Sequence, residues 1–215
     1  MSKTQDFEQQ DKEYIANTYG RFNVCFEKGK GSLLWDVEGK EYIDLGSGIG
    51  VTAFGVDDDE WSKAVIAQTH ALNHISNLYY SVPQIKLAEM LCKRTGMKKV
   101  FFCNSGAESN ECAIKAARKY SHDKYDDGRN VIVTLVNSFH GRTVTTLSAT
   151  GQDVFHQHFF PFTEGFVHTP ANDIDAALKV LANPAVCAIM MEPIQGEGGV
   201  MPLDKEFVQA EIGRA

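Results

Sequence analysis

The chain has no apolar run long enough to span a bilayer as a helix, which excludes a transmembrane helix. It has no C-x-x-C pair: its five cysteines (Cys25, Cys92, Cys103, Cys112, Cys187) are odd in number and scattered. A zinc ribbon or a disulfide framework is therefore not expected, and reduced thiols in a cytoplasmic protein are the simplest reading. It has no excess of positive charge: 21 Lys and Arg stand against 28 Asp and Glu, a formal charge of −7. That argues against a nucleic-acid partner and against a membrane surface. The first residues, MSKTQDFEQQDKEY, are polar and acidic, wrong for a signal peptide. There is no G-x-x-x-x-G-K-[ST] loop, so a triphosphate site is not indicated. Only six prolines interrupt the chain, and no repeat or low-complexity tract stands out.

What is present is an ordinary globular composition over 215 residues, 43% hydrophobic and 23% charged. Residues 1–20 read as a polar arm with helical character. Residues 32–44 read as two short strands around a turn at Glu38-Gly39. GSGIGV (46–51) has the wrong spacing for a dinucleotide loop and reads as a turn. Helical spacing recurs over 58–73 and 83–95. Next come a buried strand (98–105), a helix (106–120), a strand (130–137), a strand at 164–170, a helix near 173–182 and a strand (185–192). Strands alternating with helices predict an α/β domain with a mostly parallel sheet and flanking helices, preceded by a small β-hairpin. Ligands of such sheets sit beyond the carboxyl ends of the strands.

Three such ends carry chemistry. Asn104-Ser105-Gly106-Ala107-Glu108 joins a strand to a helix N-terminus through small residues. Free amides and the helix dipole there favour an anion. Ser105 and Glu108 also fit a capping box, and a phosphate monoester site and a plain cap explain the turn equally. In Asn137-Ser138-Phe139-His140-Gly141-Arg142-Thr143, Phe139 can stack on a flat ligand and Arg142 can grip a carboxylate, although a core Phe with a solvated Arg is the commoner case. In Glu192-Pro193-Ile194-Gln195-Gly196-Glu197-Gly198-Gly199, two carboxylates and an amide follow an apolar strand. Glu192 would be costly to leave unpaired there. His156 and His158 form an H-x-H without further ligands, which reads as loop or helix histidines and not as a metal site.

Taken together, NTYGRFNVCFEKGKGSLLWDVEGKEYIDLGSGIGV (17–51), ISNLYYSVPQIKLAEML (75–91), VFFCNSGAESNECAIKAARKY (100–120), NSFHGRT (137–143) and EPIQGEGGVMPLDKEF (192–207) resemble the class III aminotransferases, pyridoxal 5′-phosphate enzymes of fold type I. The resemblance implies a partial fold type I domain. It implies that Ser105, Gly106 and Ala107 hold the cofactor phosphate, that Phe139 stacks on its ring and that Glu192 lies close to it. It further implies that Arg142 takes the substrate α-carboxylate, that Glu197 lies near the substrate and that Tyr79, beside Asn77, borders the site across a dimer interface. The implied reaction moves an amino group from N-acetylornithine or a similar ω-amine to 2-oxoglutarate, in arginine biosynthesis. Ornithine, succinylornithine and 4-aminobutyrate are the neighbouring donors, and a non-catalytic binding protein is the alternative. A homodimer in the cytoplasm is implied, with residues 1–55 in the small domain and 56–215 in an incomplete large domain.

The family's chains are about twice as long. The D-E-V-Q aspartate and the Schiff-base lysine find no counterpart here, so the chain as written is expected to be inactive. Two further departures stand out. Gly55-Val56-Asp57-Asp58 replaces the usual G-H, and VQAEIGR (208–214) resembles a segment that normally lies further downstream.

Overall fold

The computed structural model describes residues 2–212. The chain divides into two compact units, with the boundary after Leu87; the sequence-based boundary at 55/56 falls inside the first of them.

The first unit begins with α1 (Lys3–Tyr14), whose capping box joins Ser2 and Gln5. Glu38 ties this helix to a hairpin by accepting from the Thr4 amide at 3.0 Å and the Thr4 hydroxyl at 2.7 Å. The hairpin is larger than the sequence indicated. Strands β1 (Phe26–Lys30), β2 (Leu33–Asp36) and β3 (Glu41–Ile43) form an antiparallel sheet in that order. β1 escaped notice because F-E-K-G-K alternates poorly. Asp36 organises the β2–β3 turn by accepting from the amides of Glu38 (3.0 Å) and Lys40 (2.8 Å) and from the Tyr42 hydroxyl (2.9 Å). Burial alone would raise its carboxyl, but these donors hold it below the ordinary carboxylate value.

The glycine-rich stretch is a turn, as its spacing suggested. Its one-turn helix α2 (Ser47–Gly50) has Gly48 and Ile49 in the left-handed region. Where the family's G-H is replaced, Lys30 pairs with Asp57 (3.2 Å) and Asp59 (2.8 Å). Helix α3 (Asp59–Ala71) follows, capped by Asp58, and α4 (Val82–Thr95) carries the unit boundary. Much apolar surface in this unit is open: Phe22, Leu45, Ile49 and Tyr80 are each more than 90% exposed.

The second unit is the α/β part. Helix α5 (Gly106–Tyr125) precedes β4 (Val131–Leu135), α6 (Val144–Ala149), β5 (Phe166–Thr169), α7 (Ile174–Leu181) and β6 (Val186–Ile189). A two-residue pair, β7 (Ile194–Gln195) and β8 (Met201–Pro202), and helix α8 (Lys205–Glu211) complete it. The parallel sheet runs β5-β4-β6, with Ile132 opposite Phe166 and Ala188. The central strand is apolar on both faces, and each face meets helices. Ile132 packs with Ile114 of α5 and Ala149 of α6, while Leu135 packs with Ala177 of α7 and Phe207 of α8. Arg118 of α5 fastens the other ends of the strands: its Nε donates to the Asn130 carbonyl (3.1 Å) and its Nη2 to the Glu164 carbonyl (2.8 Å).

One expectation is corrected. The strand expected at 98–105 is absent: these residues pair with no described strand, and Phe101 is 61% exposed. Apolar composition favours a strand only where a neighbour supplies the ladder. The motif segment 192–199 contains the short strand β7 at Ile194–Gln195. Of the VQAEIGR stretch, 208–211 lie in α8, and Gly213 and Arg214 fall outside the described residues.

The segment after α6 is pressed against β4. A Cβ at Gly151 would lie 2.1 Å from the Leu135 carbonyl oxygen, whereas one at Gly106 would meet nothing within 4 Å. Gly151→Ala is therefore expected to destabilise the fold by at least about 2 kcal/mol in urea unfolding. Gly106→Ala should stay within about 1 kcal/mol of the parent.

Candidate functional site

The carboxyl ends of β4 and β6 and the start of α5 meet in the second unit, and they bring together most of the residues singled out from the sequence. Ser105 is the N-cap of α5, and its Oγ accepts from the Glu108 amide at 3.2 Å. The capping box is displaced by one residue: the Glu108 carboxylate reaches back to the Asn104 amide (2.6 Å) rather than to that of Ser105. The first-turn amides of Gly106 and Ala107 are left as donors at the positive end of a 20-residue helix.

The loop after β4 is seated on this helix start by backbone proximity and two side chains. Gly141, at φ +124°, is so close that a Cβ there would lie 2.8 Å from the Cβ of Ala107. Only glycine takes that conformation at that distance. Asn110 donates its Nδ2 to the His140 carbonyl (2.8 Å), and the Thr143 hydroxyl donates to Glu111 (2.5 Å). Phe139, half-buried, thereby stands on the loop anchored to α5. Its ring meets that of Phe155 edge to face, with centroids 5.8 Å apart. The Arg142 guanidinium lies 5.9 Å from both rings and is exposed.

Glu192 joins this loop to the glycine-rich one. Its Oε1 accepts from the Phe139 amide (2.9 Å) and its Oε2 from the Gly196 amide (3.3 Å), so the half-buried carboxylate is not left unpaired. Gln195 donates its Nε2 to the Val136 carbonyl (2.9 Å). Gly198 approaches Asn137 so closely that a Cβ would lie 2.4 Å from the Asn137 oxygen. Glu197 is exposed and accepts from Gln152 Nε2. Tyr79, 68% exposed, and Asn77 lie in the first unit between α3 and α4. Asn77 there lines a polar cleft with Gln68, Asn73, His74, Ser81 and Gln84.

Sequence reasoning missed the supports. Asn110 and Glu111 look like ordinary helix residues, and Gln152 and Phe155 sit in a stretch without any recognisable signal. His156 is a packed histidine: its Nε2 lies 3.0 Å from the Leu147 carbonyl and its ring lies beside Phe162.

Residues 14–211 match the family described as Aminotransferase class-III. The chain is 55% identical over 205 residues to the acetylornithine aminotransferase of Haemophilus ducreyi, covering 95% of this chain and 52% of that protein. Among solved structures, the ornithine aminotransferase of Toxoplasma gondii superposes with a TM-score of 0.93 at 28% identity, over 100% of this chain and 51% of that one. The N-acetylornithine aminotransferase of Stenotrophomonas maltophilia does so with a TM-score of 0.76 at 36% identity, over 94% and 48%. The chain thus spans about half the length of the relatives it matches.

Two histidines give the site a pH signature. Burial lowers both His140, which is 4% exposed, and His168 of β5 below the ordinary imidazole value. Glu192 opposes the effect at His140 only in part. The unfolded chain binds protons at both as pH falls through about 6.5, whereas the folded chain resists. The stability they confer is full above that pH and is lost as pH falls through the depressed folded values. Urea midpoints should drop between pH 7 and pH 5, and less steeply in His140→Gln/His168→Gln; an unchanged slope in that variant contradicts the assignment.

Proposed function

The chain belongs to the class-III aminotransferase family, and from that premise we propose that it is the N-terminal half of a pyridoxal 5′-phosphate-dependent aminotransferase moving an amino group from N-acetylornithine to 2-oxoglutarate. The observation that carries this reading is the convergence of an anion-binding helix start, an aromatic ring and an arginine, with Ala107 and Gly141 nearly touching. Identity to relatives named acetylornithine aminotransferase favours that donor over ornithine, succinylornithine or 4-aminobutyrate.

The residues fit the cofactor. The amides of Gly106 and Ala107 would donate to its phosphate, and the open space at Gly106 would let an oxygen approach the backbone. The Ser105 hydroxyl accepts from Glu108 and keeps its own proton to donate. Phe139 supplies a ring face for stacking, held in place by the Glu192 carboxylate through the Phe139 amide. Bound there, pyridoxal phosphate would supply an electron sink for the pair released when the amine-bearing carbon loses its proton. Arg142 takes the donor carboxylate as a bidentate pair, a role its planar fork suits. Glu197 faces the remainder of the substrate, and Tyr79 borders the site in the assembled enzyme. The proton-moving lysine has no assigned counterpart in this chain: Lys119 pairs with Asp123, and Lys115 and Lys205 are exposed.

A homodimer in the cytoplasm completes the reading, with residues 1–55 in the small domain and 56–215 in the large one. Its support is the open apolar surface of the first unit, where Phe22, Leu45, Ile49 and Tyr80 stand exposed. Five free cysteines accord with a reducing compartment. No described helix is long and apolar enough to cross a membrane.

Two measurements test the proposal. Phe139→Ala should weaken pyridoxal phosphate binding about fivefold, the value of one aromatic stack; unchanged binding contradicts the stacking role. Borohydride reduction of the 215-residue chain with pyridoxal phosphate should label no single lysine, whereas one uniquely labelled lysine with turnover would overturn the expected inactivity.

A further inference from the structure

Between α6 and the His156/His158 pair, residues 151–155 carry no motif, yet they reach both side chains assigned to substrate. The segment is strapped to the loop after β4 by backbone: the Asn137 amide donates to the Gly151 carbonyl (2.8 Å) and the Gly151 amide to the Ser138 carbonyl (3.2 Å). A 3₁₀ turn over Asp153–Phe155 follows. At its start, Gln152 Nε2 donates to Glu197 Oε2 at 2.5 Å and to the Ser138 carbonyl at 3.3 Å. At its end, the Phe155 ring braces Phe139 at 67° between planes and lies 5.9 Å from the Arg142 guanidinium.

Arg142 and Glu197 stand on different loops, one after β4 and one between β7 and β8, and both are exposed. Exposed charged side chains spread over many rotamers unless something holds them. The segment 152–155 supplies one partner to each. We propose that Gln152 and Phe155 are positioning residues for substrate recognition, fixing the Glu197 carboxylate and the Arg142 guanidinium relative to each other. The inference rests on the reading of Arg142 and Glu197 given above.

The chemistry distinguishes the two residues. Gln152 is a neutral donor to a carboxylate, so it directs Glu197 without cancelling its charge. Its influence falls on whatever part of the donor meets Glu197. Phe155 offers a ring face and edge near a cation, so its influence falls on the carboxylate that Arg142 receives. Neither touches the phosphate turn at Ser105, Gly106 and Ala107.

The test uses the full-length protein encoded by the gene that carries these residues, with Gln152→Ala, Phe155→Ala, Phe155→Tyr and Glu197→Ala. Calorimetric titration with 2-oxoglutarate should show binding about threefold to fivefold weaker in Phe155→Ala and restored in Phe155→Tyr. Gln152→Ala should leave 2-oxoglutarate binding unchanged and raise KM for N-acetylornithine severalfold at constant kcat. That increase should vanish when Glu197 is already alanine, as coupling between contacting residues requires. Pyridoxal phosphate binding should stay within about twofold in Gln152→Ala and Glu197→Ala, and should fall less than 2-oxoglutarate binding in Phe155→Ala, which removes only an edge contact to Phe139.

A Gln152→Ala effect of full size in the Glu197→Ala background overturns the inference. So does a loss of pyridoxal phosphate binding in step with that of 2-oxoglutarate. The titration needs no turnover. A protein that binds 2-oxoglutarate in a Phe155-dependent way yet transfers no amino group therefore upholds the role of Phe155 and overturns the proposed function instead.

Discussion

The candidate site hangs on one half-buried carboxylate. Glu192 leaves the apolar strand β6 and accepts amide protons from two loops, at Phe139 and at Gly196. A charge in that position is costly unless hydrogen-bonded, and the bonds that satisfy it also decide where the loops go. With Glu192 in place, the Phe139 backbone is fixed on the loop that packs against the start of α5. The glycine-rich loop is drawn in beside it, and its Glu197 comes within reach of Gln152. The role left open by sequence is thus that of a clasp.

Glycine makes the clasp possible. At Gly141, Gly151 and Gly198 a single added methyl would collide with Ala107, with the Leu135 carbonyl and with Asn137 respectively. These close approaches let the start of α5, the loop after β4, the segment after α6 and the glycine-rich loop share one small region of space. The parallel sheet beneath them supplies the convergence, because every strand of such a sheet ends on the same side. Helix α5 adds the electrostatics, and its N-terminus is aimed by Asn110, Glu111 and the Ser105 cap. Positive potential, a ring and a cation are gathered by ordinary packing rather than by any unusual element.

Some of this was legible in the sequence and some was not, for physical reasons. Strand β4 announces itself because a central parallel strand is apolar on both faces, and α5 because its good helix formers run on without a break. The cost of an unpaired Glu192 could be anticipated from an acid placed directly after an apolar strand. The 98–105 stretch misled because a strand is a property of a pair, and its composition says nothing about whether a partner is present. Strand β1 was missed because F-E-K-G-K lacks the alternation that marks a half-buried strand. Gln152 and Phe155 were invisible because their importance comes from what lies across the fold from them, at Glu197 and Arg142, and no local pattern encodes that.

Every assigned role depends on the start of α5 receiving the phosphate of pyridoxal phosphate. That placement is tested most directly by following backbone amide resonances during titration with the cofactor. The amides of Gly106 and Ala107 are expected to shift most, with Phe139 moving alongside them. Shifts scattered over exposed lysines, with Gly106 and Ala107 unmoved, would contradict it.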